Sequence, residues 1–274
     1  MQANEEQTAA AKSPDDTLTL VSLGIVAFVI AIVAHEGLGH GLATLAVGGK
    51  AVMLTTCYFS SSGSLSRWIP AAGGIANAVV GLLSILALRL LRTAGPHIRY
   101  FFTLVLAFNL FFAAGYPAYS GLAAFGDWAA VISGLSPAWL WQVLLVVFSV
   151  ISYYLSLRLL AVEMRPFCGP EAREAQARLR RITLIPFVAA LCAASFAGAL
   201  NPSGWTIIFT AALPGAAAAF GLTQLDHFSG ANASDSSVPA GPITLSARWI
   251  IAAVIILALF VGVLGPGIKF GQNS

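Results

Sequence analysis

The sequence predicts an all-α, polytopic helical membrane protein with about six to eight transmembrane helices. Three observations carry this. Hydrophobic residues fill 58% of the 274 positions and charged residues only 9%, against roughly 25% charged in an ordinary soluble domain. The apolar residues fall in runs that reach the ~20 residues a membrane helix needs. Trp and Tyr stand near the ends of several runs, where amphipathic rings meet lipid headgroups. With 14 Lys and Arg and 11 Asp and Glu, the chain has too few charges to coat a soluble globule. A cytosolic enzyme, a disordered chain and a nucleic-acid binder are excluded. The three cysteines, Cys57, Cys168 and Cys192, are scattered and form neither a CxxC metal site nor a disulfide framework.

Residues 1–17 read as a disordered tail. Their acidic flank (Glu5, Glu6, Asp15 and Asp16 against Lys12) and the long apolar run that follows do not fit a cleaved signal peptide. The expected spans cover residues 18–47, 69–91, 100–116, 138–162, 182–200, 205–225 and 249–268, with Pro214 expected to kink the sixth. Residues 117–137 are apolar and lack Lys and Arg, and are open between a loop, a re-entrant hairpin and a further span. Residues 163–181 form the main charged loop, where Glu171 and Glu174 precede Arg178 and Arg181 and suit a short surface helix. Residues 226–247, rich in Ser, Gly, Ala and Pro, read as a flexible loop, and 269–274 as a tail. The organisation expected is a metal-site membrane core over 18–130, followed by additional transmembrane helices over 131–268.

Seven spans place Lys12, Arg89, Arg92, Arg99, Arg158, Arg165, Arg173, Arg178, Arg180, Arg181 and Arg248 on the N-terminal side, against Lys50, Arg67 and Lys269. The positive-inside rule then puts the N-terminus in the cytoplasm. An eighth span within 117–137 would reverse the sides. The location expected is multi-pass in a membrane, a bacterial cytoplasmic membrane.

The acidic residues carry the chemistry. Between residues 17 and 162 there are only Glu36 and Asp127, both in apolar surroundings. An ionisable group inside a bilayer costs at least ~2.5 kcal/mol and faces a cavity or a partner. Glu36 stands in Ala34-His-Glu-Gly-Leu-Gly-His-Gly41. Two imidazoles and a carboxylate in one hydrophobic helix are a metal-site pattern. The bland alternative is a polar cluster that binds a neighbouring helix. His35 and His40 are five residues apart, so on a regular helix they point about 140° apart. A shared metal then requires a π-bulge, which Gly37, Gly39 and Gly41 make cheap. The undistorted alternative pairs Glu36 with His40. Either set is short of ligands and points to Asp127. In the second span, Gly73, Asn77 and Gly81 share a face that admits a close neighbour. Asn77 there reads equally as helix packing or as a site residue. Asn109 lies in the third span, which is expected to end at Tyr116-Pro117.

This order of motifs resembles the site-2-protease-like intramembrane zinc metalloproteases. The resemblance rests on His35-Glu36…His40, Gly48-Gly49-Lys50 leading into a short extended segment, Gly73-Gly74-Ile75-Ala76-Asn77, and Asn109…Pro117…Asp127. It covers about residues 30–130. It implies that His35, His40 and Asp127 bind Zn2+ and that Glu36 is the general base. Asn77, Asn109, Gly73 and Gly74 would give substrate-binding or structural support, and the substrate would be a membrane protein or peptide in the lipid bilayer. The chain departs from the family pattern twice. HExxxH stands for HExxH, and Asp127 is followed by Trp128 where the family reads Leu-Asp-Gly. An inactive relative, a non-proteolytic carrier, a metal-dependent scaffold and a hydrolase of lipids or other small amphiphiles are the alternatives. Ala124-Phe-Gly-Asp127 is one residue away from the motif of intramembrane aspartyl proteases, but no earlier span offers a second Asp. Nothing in the pattern sets an oligomeric state.

Overall fold

A computed structural model describes residues 15–168, 172–228 and 240–271. Among them, seven helices are long and apolar enough to cross a membrane. Helix α1 covers Thr17–Ala46. Strands β1 (Lys50–Leu54) and β2 (Phe59–Ser62) lead into α2 (Trp68–Leu90). Helix α3 (Pro96–Ala123) is followed by the short α4 (Asp127–Ile132). Then come α5 (Ala138–Phe167), α6 (Ala172–Ala199), α7 (Ile208–Phe228), α8 (Ala247–Leu264) and β3 (Ile268–Lys269).

Burial sorts the helices. Leu20, Leu23, Ala27, Phe28 and Ala31 of α1 are fully or almost fully enclosed, whereas Val147, Phe148, Val150 and Ile151 of α5 and Ile251, Val254 and Ile255 of α8 are exposed. Exposed aliphatic faces on helices of this length suit hydrocarbon as solvent. Helix α1 is therefore the central post. Phe28 meets Phe108, Phe112 and Phe260 edge to face, with ring centroids 5.8, 6.1 and 5.9 Å apart.

Several expectations need correction. Residues 15–17 are no tail. Asp16 caps α1 by accepting from the Thr19 amide (2.8 Å) and hydroxyl (2.7 Å), bonds that hold its carboxyl below the usual range. Residues 1–14 lie outside the described residues. The third helix does not end at Pro117. It runs on to Ala123 with Pro117 inside it, and the Ser149 hydroxyl donates to the Ala114 carbonyl close to the break in the hydrogen-bond ladder. Residues 117–137 thus contain the end of α3 and the short α4, not an eighth span. The charged 163–181 segment is mostly helix, since α6 begins at Ala172. Glu171 lies outside the described residues. In the 226–247 segment, α7 extends to Phe228, residues 229–239 are outside the described set, and Ala240 donates to the Pro166 carbonyl at 2.6 Å. Residues 268–269 pair with Met53 and Leu54, giving a sheet of order β2-β1-β3. Helix α7 is irregular around Pro214, as expected, with a π-helical stretch at Ile208–Ala212 and a 3-10 stretch at Ala218–Gln224.

One ionic cluster ties the end of the molecule away from the sheet. The Asp15 carboxylate, almost fully buried, accepts from Arg178 Nε (2.8 Å), Arg178 Nη2 (2.9 Å) and the Ile243 amide (2.8 Å). Arg178 also donates to the carbonyls of Phe167 and Gly241. It joins the start of α1 to the α5–α6 turn and to the approach to α8. Removing one partner strands the other, so Arg178→Ala is expected to cost about 3 kcal/mol. A lowered thermal midpoint in detergent micelles checks this, and a midpoint equal to that of wild type would show the cluster to be dispensable.

Candidate metal centre

Helix α1 changes its winding at the site. It is α-helical over Thr17–Val33, π-helical over Ala34–Gly41 and α-helical again over Leu42–Ala46. The wider i→i+5 ring of a π-helix brings residues five apart onto one face. His35 and His40 accordingly turn the same way, with ring centroids 4.9 Å apart.

Helix α2 crosses α1 at glycines. A Cβ on Gly39 would lie 2.6 Å from the Ala72 oxygen and the Gly73 Cα. A Cβ on Gly73 would lie 2.6 Å from His35 Nε2 and 2.7 Å from His40 Nε2. Only bare backbone at both positions lets the helices come this close. Gly74 faces α4 instead, where a Cβ would stand 3.2 Å from the Trp128 ring.

The neighbours fix which ring nitrogens carry hydrogen. Asn77 donates through Nδ2 to the Ala31 carbonyl and to Asn109 Oδ1, both at 2.9 Å. A carbonyl only accepts, so the amide is oriented and its Oδ1 faces His35 Nδ1 at 2.7 Å. His35 Nδ1 must then be the donor. His40 Nδ1 lies 2.7 Å from the Ile69 carbonyl and must donate as well. In the neutral imidazoles both Nε2 atoms are left with lone pairs. Asn109 anchors the chain of bonds through Nδ2 to the Val105 carbonyl at 2.8 Å.

Asp127 closes the site. Its Oδ2 lies 2.9 Å from His35 Nε2 and 3.2 Å from His40 Nε2. The three ligand atoms are within 4.8 Å of one another. Tetrahedral ligands ~2.0–2.1 Å from a zinc ion stand about 3.3 Å apart, so the donor set fits such an ion. Two ring nitrogens and a carboxylate oxygen converging on one point form a group that could hold a metal ion. Glu36 is the neighbour and not the nearest ligand, with Oε2 3.9 Å from His40 Nε2. That oxygen is buried without a hydrogen-bond partner among the described residues. Of the two sets open from the sequence, the geometry favours His35 with His40 and Asp127.

The site opens on a cavity of about 560 Å3. Its polar end is His35, Glu36, His40 and Asp127, and its apolar floor includes Phe28, Phe112 and Phe260. Ala194 and Ala212 on later helices also line it. The division into a site core and additional helices therefore does not hold at the cavity, since α6, α7 and α8 help to build it. Each of the three π-helical stretches described, at Ala34–Gly41, Ile208–Ala212 and Phe260–Leu264, contributes residues to this cavity.

No family model, curated protein or solved structure matches this chain. The geometry alone therefore bears on its function.

The structure brings together seven of the residues singled out from the sequence, His35, Glu36, His40, Gly73, Asn77, Asn109 and Asp127, while Gly74 packs against Trp128 of α4. Several contributors escaped that reading. The Ile69 carbonyl orients His40, and as a backbone group it carries no sequence signal. The Tyr116 ring lies 5.6 Å from that of His35, and its hydroxyl accepts from the Asp127 amide at 3.4 Å. Phe59 of β2 stacks on His40 at 6.5 Å. Cys57 lines the cavity as a free thiol, and burial pushes its pKa up to about 11.

Gly73→Ala is expected to abolish metal binding, because its methyl group would stand among the ligand nitrogens. The helix itself should tolerate it, Ala being favoured over Gly by about 1 kcal/mol. Metal content and circular dichroism on the same sample separate the two effects. Asn77→Ala removes the acceptor that orients His35, and should weaken zinc affinity about 10- to 100-fold. A competition titration with a chelator measures it, and unchanged affinity would show that Asn77 serves packing alone.

Proposed function

We propose that this protein is an intramembrane zinc metalloprotease of the site-2-protease type, cleaving membrane-embedded or juxtamembrane peptide bonds. The observation that carries the reading is the convergence of His35 Nε2, His40 Nε2 and Asp127 Oδ2 beside a Glu36 oxygen with no hydrogen-bond partner among the described residues, on a cavity among membrane helices. The approach of Asp127 to both histidines favours this reading over a carrier, which needs no third ligand.

A bound zinc ion would supply Lewis acidity and acidify a bound water. The chain's own residues do the rest. Asn77 and the Ile69 carbonyl hold the imidazoles in the ligating tautomer. Glu36 takes a proton from the attacking water and returns it to the departing amine nitrogen. The apolar floor and the surrounding helices keep bulk water out, which strengthens each charge interaction. Strand β2 is an edge of the small sheet and carries Phe59 beside His40. An extended peptide can add to such an edge through its backbone. With seven spans, the Lys and Arg excess supports a cytoplasmic N-terminal end, with the site toward the opposite face. A bacterial cytoplasmic membrane is the setting we propose.

The test is hydrolysis by protein reconstituted in vesicles with a library of single-span peptides, assayed beside Glu36→Gln. Wild type is expected to cleave and to hold one zinc per chain, and Glu36→Gln to retain the zinc and lose at least 100-fold in rate. Loss of metal in that variant would make Glu36 a ligand. Zinc binding with release of fatty acid from the vesicles, and no peptide cleavage, would replace the protease with a lipid hydrolase. Absence of stoichiometric metal would overturn both.

A further inference from the structure

We infer that Arg67 is a positioning residue that holds Asp127 in the metal site by clamping the far end of α4. The inference rests on the metal-site reading above.

Helix α4 has few means of keeping its place. It is six residues long, has no buried residue and lacks a side-chain N-cap bond. It hangs between Gly126 and Gly134, whose φ angles of 87° and 75° make both flanks tight turns. Hydrogen bonding alone does not stabilise so short a helix in water. Its ties to the rest of the molecule are therefore individually important. At its start these are Asp127 itself, the Asp127 amide bond to Tyr116 and the Trp128 ring over Gly74.

At its end the tie is Arg67. Nη1 donates to the Val131 carbonyl at 3.0 Å and Nη2 to the Ser133 carbonyl at 2.8 Å. These carbonyls lie at the C-terminal end of α4, where intrahelical partners run out and the helix end is partly negative. The planar guanidinium reaches both at once, a geometry that an ammonium does not reproduce. The base of the clamp is equally placed. Arg67 immediately precedes α2, two residues before the Ile69 carbonyl that orients His40 and six before Gly73. One side chain thus locks the helix that bears the carboxylate ligand to the end of the helix that orients a histidine ligand.

The test uses the full-length protein in detergent micelles. Zinc affinity is measured by competition with a chelator for wild type, Arg67→Ala and Arg67→Lys. Removing a positive charge near a cation site would by Coulomb's law alone tighten zinc binding. The clamp predicts the opposite, a loss of about tenfold or more in Arg67→Ala, in the range of other groups that orient ligands. Arg67→Lys, which keeps the charge but not the fork, should fall between. Amide hydrogen exchange without metal supplies a second measure. Exchange over residues 127–133 should quicken in Arg67→Ala while residues 73–77 keep the wild-type rate. Unchanged or tighter zinc binding in Arg67→Ala, or exchange that quickens equally in α2, would overturn the inference. A wild type that binds no zinc would instead overturn the metal-site reading, and the exchange measurement would still decide the clamp.

Discussion

Two imidazoles five residues apart on a membrane helix can face one point only where the helix widens, and the rest of this site depends on that widening. A regular α1 would send His35 and His40 to different neighbours, each a polar group stranded in hydrocarbon at several kcal/mol. The π-helical stretch over Ala34–Gly41 removes that cost by turning both rings toward α2. It is tolerated because three of its eight residues are glycine, which leaves space for a neighbouring backbone. Gly39 and Gly73 use that space, with the α1 and α2 backbones in direct contact.

The close crossing sets the hydrogen-bond chemistry. The Ile69 carbonyl and Asn77 reach the histidines because α2 lies against α1 with no side chain between them at Gly39. Each then accepts from one ring N–H, and in the neutral imidazoles the two remaining nitrogens are acceptors. Two imidazoles and a carboxylate that converge in this way could hold a metal ion. Glu36, with an oxygen that has no hydrogen-bond partner among the described residues, lines the cavity beside them.

The cavity follows from a different rule. Large aromatic rings of α1, α3 and α8 form its floor, and small residues of α6 and α7 leave its space unfilled. Winding is irregular on three of its helices, and π-stretches commonly mark functional positions. The Asp15–Arg178 cluster at the other end ties the α1 start to the α5–α6 turn and the approach to α8. The molecule is thus tied through buried ionic bonds at one end and through a buried polar site near the other.

By itself the sequence determined the membrane class, the number of long apolar helices to within about six to eight, and the identity of the polar residues that meet. These were legible because the bilayer penalises every buried charge, so that Glu36 and Asp127 stand out against an apolar background. Even the need for a break in α1 followed from the five-residue spacing and the glycines around it. What the sequence left open was decided by contacts distant along the chain. The end of α3 was misplaced because proline normally stops a helix, whereas here α3 runs on through Pro117 and Ser149 of α5 bonds the Ala114 carbonyl. The tail reading of residues 15–17 failed because its key partner, Arg178, is 163 residues away. The choice between Glu36 and His35 as the partner of His40 depended on how far the helix unwinds, which local spacing does not state. The Ile69 carbonyl and the Arg67 clamp carry no motif at all. A backbone oxygen and an exposed arginine acquire their roles only from the elements that tertiary packing sets beside them.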